Sequence, residues 1–552
     1  MQSACLHTIN DGSGASRRRY PVQLRWLEPC KSTIGIGAGF GLRGETSVSE
    51  VSAPVWIAGK WRQSRSTGSF QAENPALGAP LPETYPVSSW DEALEALEAG
   101  AAAAEILESA GGAQIAEFLE AYATEIEASA DALAERANAE TGLPVAPRLR
   151  NVELPRTVDQ LRQAAAAVRD ETWRRPIHDE ARNIHSMFAP LGGPVIVMGP
   201  NNFPFAFNSI SGGDFAAALV AHNPVIAKAN PAHPRTTRLF AEAAQRALEK
   251  SGLPAATVQL IYHLANEDGL KLVGHPLTGA TAFTGSRNAG MKLKAAADAA
   301  GKLIYLEMSS VNPVVVLAAA LRDRGVAIAE EFFTSCTLGA GQFCTNPGLV
   351  IVPDTPESQT FVETAKQRFE TATPGVLLAR GVLNNAKDGV QRLIKSGAKL
   401  LCGGEPGPGP AYRFQNTLLT VTGDEFLRHP HELQTEVFGP SSLIVISRDT
   451  AQTASILRLL EGSLTGTIYF DGADAEDYAA LEPILRRRAG RLIGNRMPTG
   501  VAVSPAMNHG GPYPATGHPG FTAVGLPVSA QRFAALHCYE NLPADLLPDV
   551  FR

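Results

Sequence analysis

A chain of 552 residues exceeds what one hydrophobic core can organise and implies two or three domains. Hydrophobic residues make up 44% and charged residues 19%, an ordinary globular composition, and the net charge of −7 offers no attraction for nucleic acid or an anionic membrane surface. No apolar run reaches the length of about eighteen residues that a membrane-spanning helix needs. The six cysteines (Cys5, Cys30, Cys336, Cys344, Cys402 and Cys538) form no CxxC pair and no metal-ligand spacing. Free thiols in a reducing, cytoplasmic setting, and no metal site, are therefore expected.

Residues 1–52 hold Arg17-Arg18-Arg19, many Gly and Ser, and neither an apolar h-region nor clear periodicity. A poorly structured extension is expected there, with no signal peptide. Its Gly39-Phe40-Gly41-Leu42-Arg43-Gly44 matches GxGxxG in form, but no helix-forming sequence follows, so no phosphate site is assigned to it. From 89 to 140, Ala, Glu and Leu recur with apolar residues at helical spacing, which predicts two or more amphipathic helices. Another is predicted from Glu153 to Val168, carrying Arg156 and Arg162.

From Pro194 onward short apolar strands alternate with helices. Strands are predicted at 194–199, 225–228, 258–262, 281–284, 302–306 and 314–317, with helices at 214–220, 236–251, 268–273 and 288–300 between them. Unbroken apolar strands separated by helices predict a doubly wound parallel sheet, which binds ligands beyond the C-terminal ends of its strands. The residues at those ends are Gly199 to Pro204, Lys228 to Pro231, Gly285-Ser286 with Gly290, and Glu307 to Ser310.

Each end has a chemical and a bland reading. The Asn202 amide suits a developing oxyanion, or an Asx-turn. Lys228 suits ribose or phosphate, or a solvated strand end. Thr284-Gly285-Ser286 opens a helix and could cradle a pyrophosphate, or merely cap it. Glu307 follows a buried strand, where desolvation would raise its pKa and make it a general base; otherwise it is an exposed loop residue. In Gly339-Ala340-Gly341-Gln342-Phe343-Cys344-Thr345-Asn346-Pro347-Gly348, a Gly-flanked cysteine is either a nucleophile or a small buried hydrophobe, and no neighbour in sequence would activate it. Glu436-Val437-Phe438-Gly439-Pro440 supplies a second carboxylate and a ring able to pack on a flat ligand.

Together Asn202-Phe203-Pro204, Phe283-Thr284-Gly285-Ser286, Leu306-Glu307-Met308-Ser309, Gly341-Gln342-Phe343-Cys344 and Glu436-Val437-Phe438-Gly439-Pro440 resemble, in order and spacing, the aldehyde dehydrogenase superfamily. The resemblance begins near residue 54, with Ile57-Ala58-Gly59-Lys60-Trp61. It implies two doubly wound α/β domains plus a small oligomerisation element. N-terminal helices and a dinucleotide-binding domain would occupy 53–309, a catalytic domain 310–500, and a substrate-site loop and tail 501–552. It further implies Cys344 as nucleophile, Asn202 as oxyanion donor and Glu307 as the base for thioester hydrolysis. Lys228, Glu436, Phe438, Gly285, Ser286 and Gly290 would hold the cofactor, and the chain would form a homodimer or homotetramer.

NAD-preferring members often carry Glu three residues after the lysine; Pro231 stands there, so NADP should be accepted, with NAD also a substrate. The stretches Phe343 to Gly348 and His509-Gly510-Gly511-Pro512-Tyr513-Pro514-Ala515-Thr516 resemble the 2,5-dioxovalerate (α-ketoglutaric semialdehyde) dehydrogenase branch. That likeness implies a carboxylate-bearing substrate, for which Arg156 and Arg162, lacking acidic partners at helical spacing, are the candidate readers. A fatty or aromatic aldehyde dehydrogenase is the alternative, and a catalytically silent member the remote one. Retention of Cys344, Glu307 and Asn202 argues against silence, and Glu307 against a coenzyme A-acylating member.

Overall fold

Five of the apolar segments lie side by side in a computed structural model, which describes residues 52–552. Their spatial order is Leu303–Glu307, Ala280–Thr284, Val195–Met198, Val225–Lys228, Val258–Ile261, and all are parallel. All four residues of Val195–Met198 are buried, so both faces of the sheet are covered, and that is why the strand shows no polar alternation. Helices Trp90–Glu108, Gly112–Ala128, Leu154–Arg169 and Pro234–Ser251 contribute Leu97, Phe118, Leu161 and Phe240 to the same core as Val195, Ile226 and Leu260. Beyond Val258–Ile261 the sheet gains a hairpin, Val55–Ile57 and Lys60–Arg62. Its two-residue turn places both Ala58 and Gly59 at positive φ (49° and 77°), the twist a tight hairpin needs.

Strand order reverses between Val195–Met198 and Ala280–Thr284, which opens a crevice at their C-terminal ends. Asn202, Lys228, Gly285-Ser286 and Glu307 all lie at that edge. The second sheet runs Lys399–Cys402, Thr417–Thr422, Ser441–Ser447, Leu349–Pro353, Val314–Val316, Ser463–Tyr469, Ala489–Gly494, parallel except for the first strand. Val315, Ile351 and Val445 enter one core and their neighbours Val314, Val350 and Ile444 another, as the two-residue period of a doubly covered sheet requires.

Cys344 and Glu436 precede two adjacent strands of this sheet, Leu349–Pro353 and Ser441–Ser447, and so sit at its N-terminal edge. Opposite edges of the two sheets thus meet. Residues 501–552 were expected to be loop and tail. The segment crosses back to the first sheet, where Met308 N donates to Ala515 O (2.8 Å). It also contains a strand, Ala534–Glu540, paired along its length with Ile184–Pro190. Together with Ile177–Asp179 these form a small antiparallel sheet that exposes Leu536 and Ile177. Among the described residues no helix is long and apolar enough to cross a membrane. Cys5, Cys30 and the Gly39–Gly44 motif lie outside the described residues.

Candidate active site

The turn before Cys344 is built from three successive left-handed residues, Gly339, Ala340 and Gly341 (φ 56°, 56° and 69°). Ala340 in that region costs about 1–2 kcal/mol, which the surrounding contacts must offset. Gly341 cannot be replaced without a clash, because a Cβ there would press into the Gly439 carbonyl of the Glu436 loop. Gln342, buried, pins the turn by donating to Gly339 O (3.1 Å) and Val376 O (3.2 Å) and accepting from Leu378 N (2.8 Å). On the other side the buried amide of Asn312 donates to Cys344 O and Asn346 O, both at 2.9 Å. Asn312 was not singled out from sequence; its only sign there is an Asn-Pro turn shortly after Glu307.

Cys344 Sγ lies 3.5 Å from His509 Nε2, and the same nitrogen lies 3.0 Å from Glu307 Oε1. One ring nitrogen therefore lies within reach of both the thiol and the carboxylate. His509 and Glu307 are buried and Cys344 is half-buried. Burial, with the nearby Glu307 charge adding to it, pushes the Cys344 thiol well above its usual range, so the resting group is protonated. For Glu307 the expectation of a raised pKa is corrected. Burial is the largest single effect and pushes it up, but the charge and hydrogen bond of His509, a hydrogen bond with Cys344 and the charge of Arg532 together outweigh it, and it is lowered. Sequence reasoning gave His509 no role, since 165 residues separate it from Cys344 and 202 from Glu307.

Asn202 Nδ2 donates to Gln342 O (3.0 Å), two residues before Cys344. The backbone carbonyl of Asn202 accepts from Arg148 Nη2 (3.1 Å). Arg148 pairs with buried Glu153 (2.5 Å), which in turn accepts from the N–H groups of Phe205 (2.8 Å) and Ala206 (3.0 Å). A buried ion pair of this kind fixes a geometry more than it adds stability.

The two arginines expected at the substrate part company. Arg156 is half-buried with its guanidinium over the Phe203 and Phe207 rings (5.8 and 5.3 Å from their centres), and Nη1 donates to Val501 O (2.9 Å). Its Nε and Nη2 have no partner, and burial lowers the guanidinium pKa against the opposing charge of Glu153 and smaller effects of Cys344 and Glu307. Arg162 instead pairs with Glu127 (2.7 Å), both half-exposed, so its assignment is corrected to a surface ion pair. The partner comes from the neighbouring helix, where no search at helical spacing within one helix would find it. Arg491, unremarked in the sequence, grips the same loop through Pro498 O (3.1 Å) and Gly500 O (2.9 Å), and its Nε is buried without a partner.

Of the residues expected at a dinucleotide, Lys228 ends its strand with a pKa lowered to about 8 by burial alone, with no carboxylate compensating it. An ammonium so placed fits an anionic or hydroxyl-rich ligand. Ser286 Oγ accepts from Ala289 N (3.4 Å) and caps the helix Arg287–Ala299 at this edge, leaving the positive end of the helix dipole towards the crevice. Gly285 and Gly290 differ from expectation. The N–H of Gly285 already donates to Glu307 O and that of Gly290 to Ser286 O, both at 3.0 Å. A Cβ on Gly290 would strike Met308 Sδ, so this glycine allows the helix to pack on the strand end. Glu436 accepts from Ser310 N (3.1 Å) in a recess shared with Arg287, Ser309 and Glu461, and burial raises its pKa. Phe438 packs against the first core.

The aldehyde dehydrogenase family model matches residues 61–512. Alpha-ketoglutaric semialdehyde dehydrogenase 2 of Azospirillum brasilense is 42% identical over 496 residues, 88% of this chain and 93% of that protein. The alpha-ketoglutaric semialdehyde dehydrogenase of Acinetobacter baylyi is 38% identical over 450 residues, 80% of this chain and 84% of that protein. Lactaldehyde dehydrogenase from Escherichia coli shares the fold, with a TM-score of 0.75 at 22% identity over 88% of this chain and 98% of that one. Enzymes of this kind oxidise aldehydes with NAD or NADP. A Gly-coiled thiol beside a buried carboxylate, at the junction of two doubly wound sheets, belongs to that pattern, and the chain is a member of the aldehyde dehydrogenase family.

Proposed function

We propose that the protein oxidises a carboxylate-bearing semialdehyde, 2,5-dioxopentanoate, to 2-oxoglutarate, accepting NADP at least as readily as NAD. The observation that carries the substrate is Arg156, a half-buried side chain in the nucleophile's electrostatic reach with two unpartnered guanidinium nitrogens. Such a fork suits bidentate capture of a carboxylate. Two relatives named for this semialdehyde support the reading.

In this reading Cys344 loses its proton to solvent, the His509 ring 3.5 Å away holds the thiolate, and Sγ attacks the aldehyde carbon. The second N–H of the Asn202 amide and the Cys344 backbone N–H hold the oxygen that becomes anionic. When bound, the nicotinamide dinucleotide supplies the hydride acceptor. Lys228 and Glu436 hold its riboses, and Ser286 and the start of the helix Arg287–Ala299 lie beside its phosphates. Pro231, where a carboxylate would repel a 2′-phosphate, admits NADP. Glu307 Oε2, buried and without a hydrogen-bond partner, is the oxygen that takes a proton from the water releasing the acid. The free edge and exposed Leu536 of the small antiparallel sheet suit pairing with a second copy, as a homodimer or homotetramer, and the free cysteines suit a cytoplasmic setting.

A second reading, oxidation of a medium-chain alkanal, is favoured by the apolar cluster of Phe203, Phe207 and Val524 with Phe343, Val503 and Met507 beside the site. The two are separated by kcat/KM for 2,5-dioxopentanoate and for an alkanal of similar length, in wild type and in Arg156→Met. A charged hydrogen bond lost to the substrate is worth about 1.5–3 kcal/mol, roughly a 10–100-fold fall for the semialdehyde alone. A wild-type preference for the alkanal, untouched by Arg156→Met, would overturn the semialdehyde reading.

A further inference from the structure

We propose that Cys344, His509 and Glu307 form a three-donor site for a soft divalent cation of the zinc class, and that occupation of this site shuts off the enzyme. The donor atoms all lie within 4.8 Å of one another. Sγ to Nε2 is 3.5 Å and Nε2 to Oε1 is 3.0 Å. A tetrahedral zinc site with a thiolate, an imidazole and a carboxylate has donor separations of about 3.3–3.6 Å. Two of the three separations thus stand within about 0.4 Å of their final values, and closure asks that the third, Sγ to the carboxylate, which is at most 4.8 Å, contract to about 3.6 Å. Glu307 Oε2 is buried without a partner and can join Oε1 on the metal. The half-buried thiol leaves the fourth corner open to a water molecule.

The chemistry of the donor set selects the ion. A thiolate and an imidazole suit zinc, cobalt or cadmium, whereas magnesium and calcium require more ligands, nearly all oxygen. On binding, the Cys344 S–H bond and the His509 Nε2–H bond facing Glu307 break, both protons go to solvent, and sulfur–metal and nitrogen–metal bonds form with no change of oxidation state. His509 coordinates through Nε2 with its proton on Nδ1. Thiolate and carboxylate together balance the two positive charges. The three residues are distant in sequence, so no ligand spacing announced the site. The ion is an inhibitor, not a cofactor, because it occupies the sulfur lone pair that would attack the aldehyde and the carboxylate that would activate water. Binding rests on these distances alone; inhibition also rests on the proposed function, with Cys344 as nucleophile.

The test is an anaerobic titration of the chelator-treated full chain with cobalt(II), read by the thiolate-to-cobalt charge-transfer band in the near ultraviolet, with turnover followed in parallel. The band is expected to saturate at one equivalent, to be displaced by zinc, and to be absent in Cys344→Ser. Removing a ligand should weaken the site at least as much as removing an outer partner, so the midpoint in His509→Ala should rise at least about tenfold. Turnover should fall with the same midpoint, return on adding EDTA, and ignore magnesium. Zinc should also slow alkylation of Cys344 by iodoacetamide in the wild type, read by mass spectrometry, which needs no variant to fold. Absence of the band, an unchanged midpoint in His509→Ala, or unprotected Cys344 would overturn the site. Turnover of the chelated enzyme without such a band leaves the proposed function standing and sinks the metal site. A Cys344-dependent band on a protein that turns over no aldehyde does the reverse.

Discussion

Replacing Lys228 with Met removes a positive charge from the end of a buried strand while keeping the length of the side chain. In the unfolded chain this ammonium loses its proton near 10.5; in the folded protein burial lowers that to about 8. The fall corresponds to about 3 kcal/mol of preferential stabilisation of the neutral form. Lys228 retains partial exposure, and solvent screening leaves about 1–3 kcal/mol. The sign follows from linkage. Below pH 8 both states are charged and the folded state bears the whole desolvation cost. Between pH 8 and 10.5 the unfolded chain binds more protons than the folded one, so wild-type stability gains with rising pH. Lys228→Met should therefore be more stable than wild type by about 1–3 kcal/mol at pH 7, and the difference should close by about pH 10.5. Urea midpoints of the two proteins at pH 7, 9 and 10.5 measure it, with other titrating groups cancelling in the difference. The same variant should bind NADP more weakly, because the lost charge faces the crevice. A variant no more stable than wild type at pH 7, or a gap constant across the range, would refute the account of an uncompensated buried ammonium.

Glu307→Gln should retain a rapid first turnover and slow the steady state by roughly 10²–10⁴-fold, since release of the acid needs the carboxylate as base; stopped-flow absorbance of the reduced cofactor distinguishes a burst from its absence. Pro231→Glu should lower kcat/KM for NADP while sparing NAD, through repulsion of the 2′-phosphate, and steady-state kinetics with both cofactors checks this. Gly341→Ala forces a Cβ into the Gly439 carbonyl and a left-handed alanine, so dehydrogenase activity should be lost and the thermal midpoint lowered, as followed by turnover and circular dichroism. Cys344 alkylation by iodoacetamide should keep rising with pH beyond the range of an ordinary thiol, because burial and the Glu307 charge hold the thiol protonated; a plateau near neutral pH would contradict that environment.

Strands such as Val225–Lys228 were legible as written, because burial on both faces removes polar residues altogether and leaves an unbroken apolar run. The same logic places Asn202, Lys228 and Glu307 at one edge, since strand ends in a parallel sheet share a direction. Sequence by itself therefore determined the fold class and the sharing of one sheet edge by Asn202, Lys228 and Glu307. Tertiary structure decided how those groups behave. Glu307 is lowered instead of raised because His509 arrives from a loop 202 residues away, and its charge and hydrogen bond, together with Cys344 and Arg532, outweigh desolvation, the largest single effect. Arg162 left the site because Glu127 on an adjacent helix neutralises it, while Arg156, six residues earlier on the same helix, is turned inward over two phenylalanine rings. Local sequence specifies which residues end strands and cap helices. The field each side chain feels is set by whatever the rest of the chain packs against it, and that is a property of the folded molecule alone.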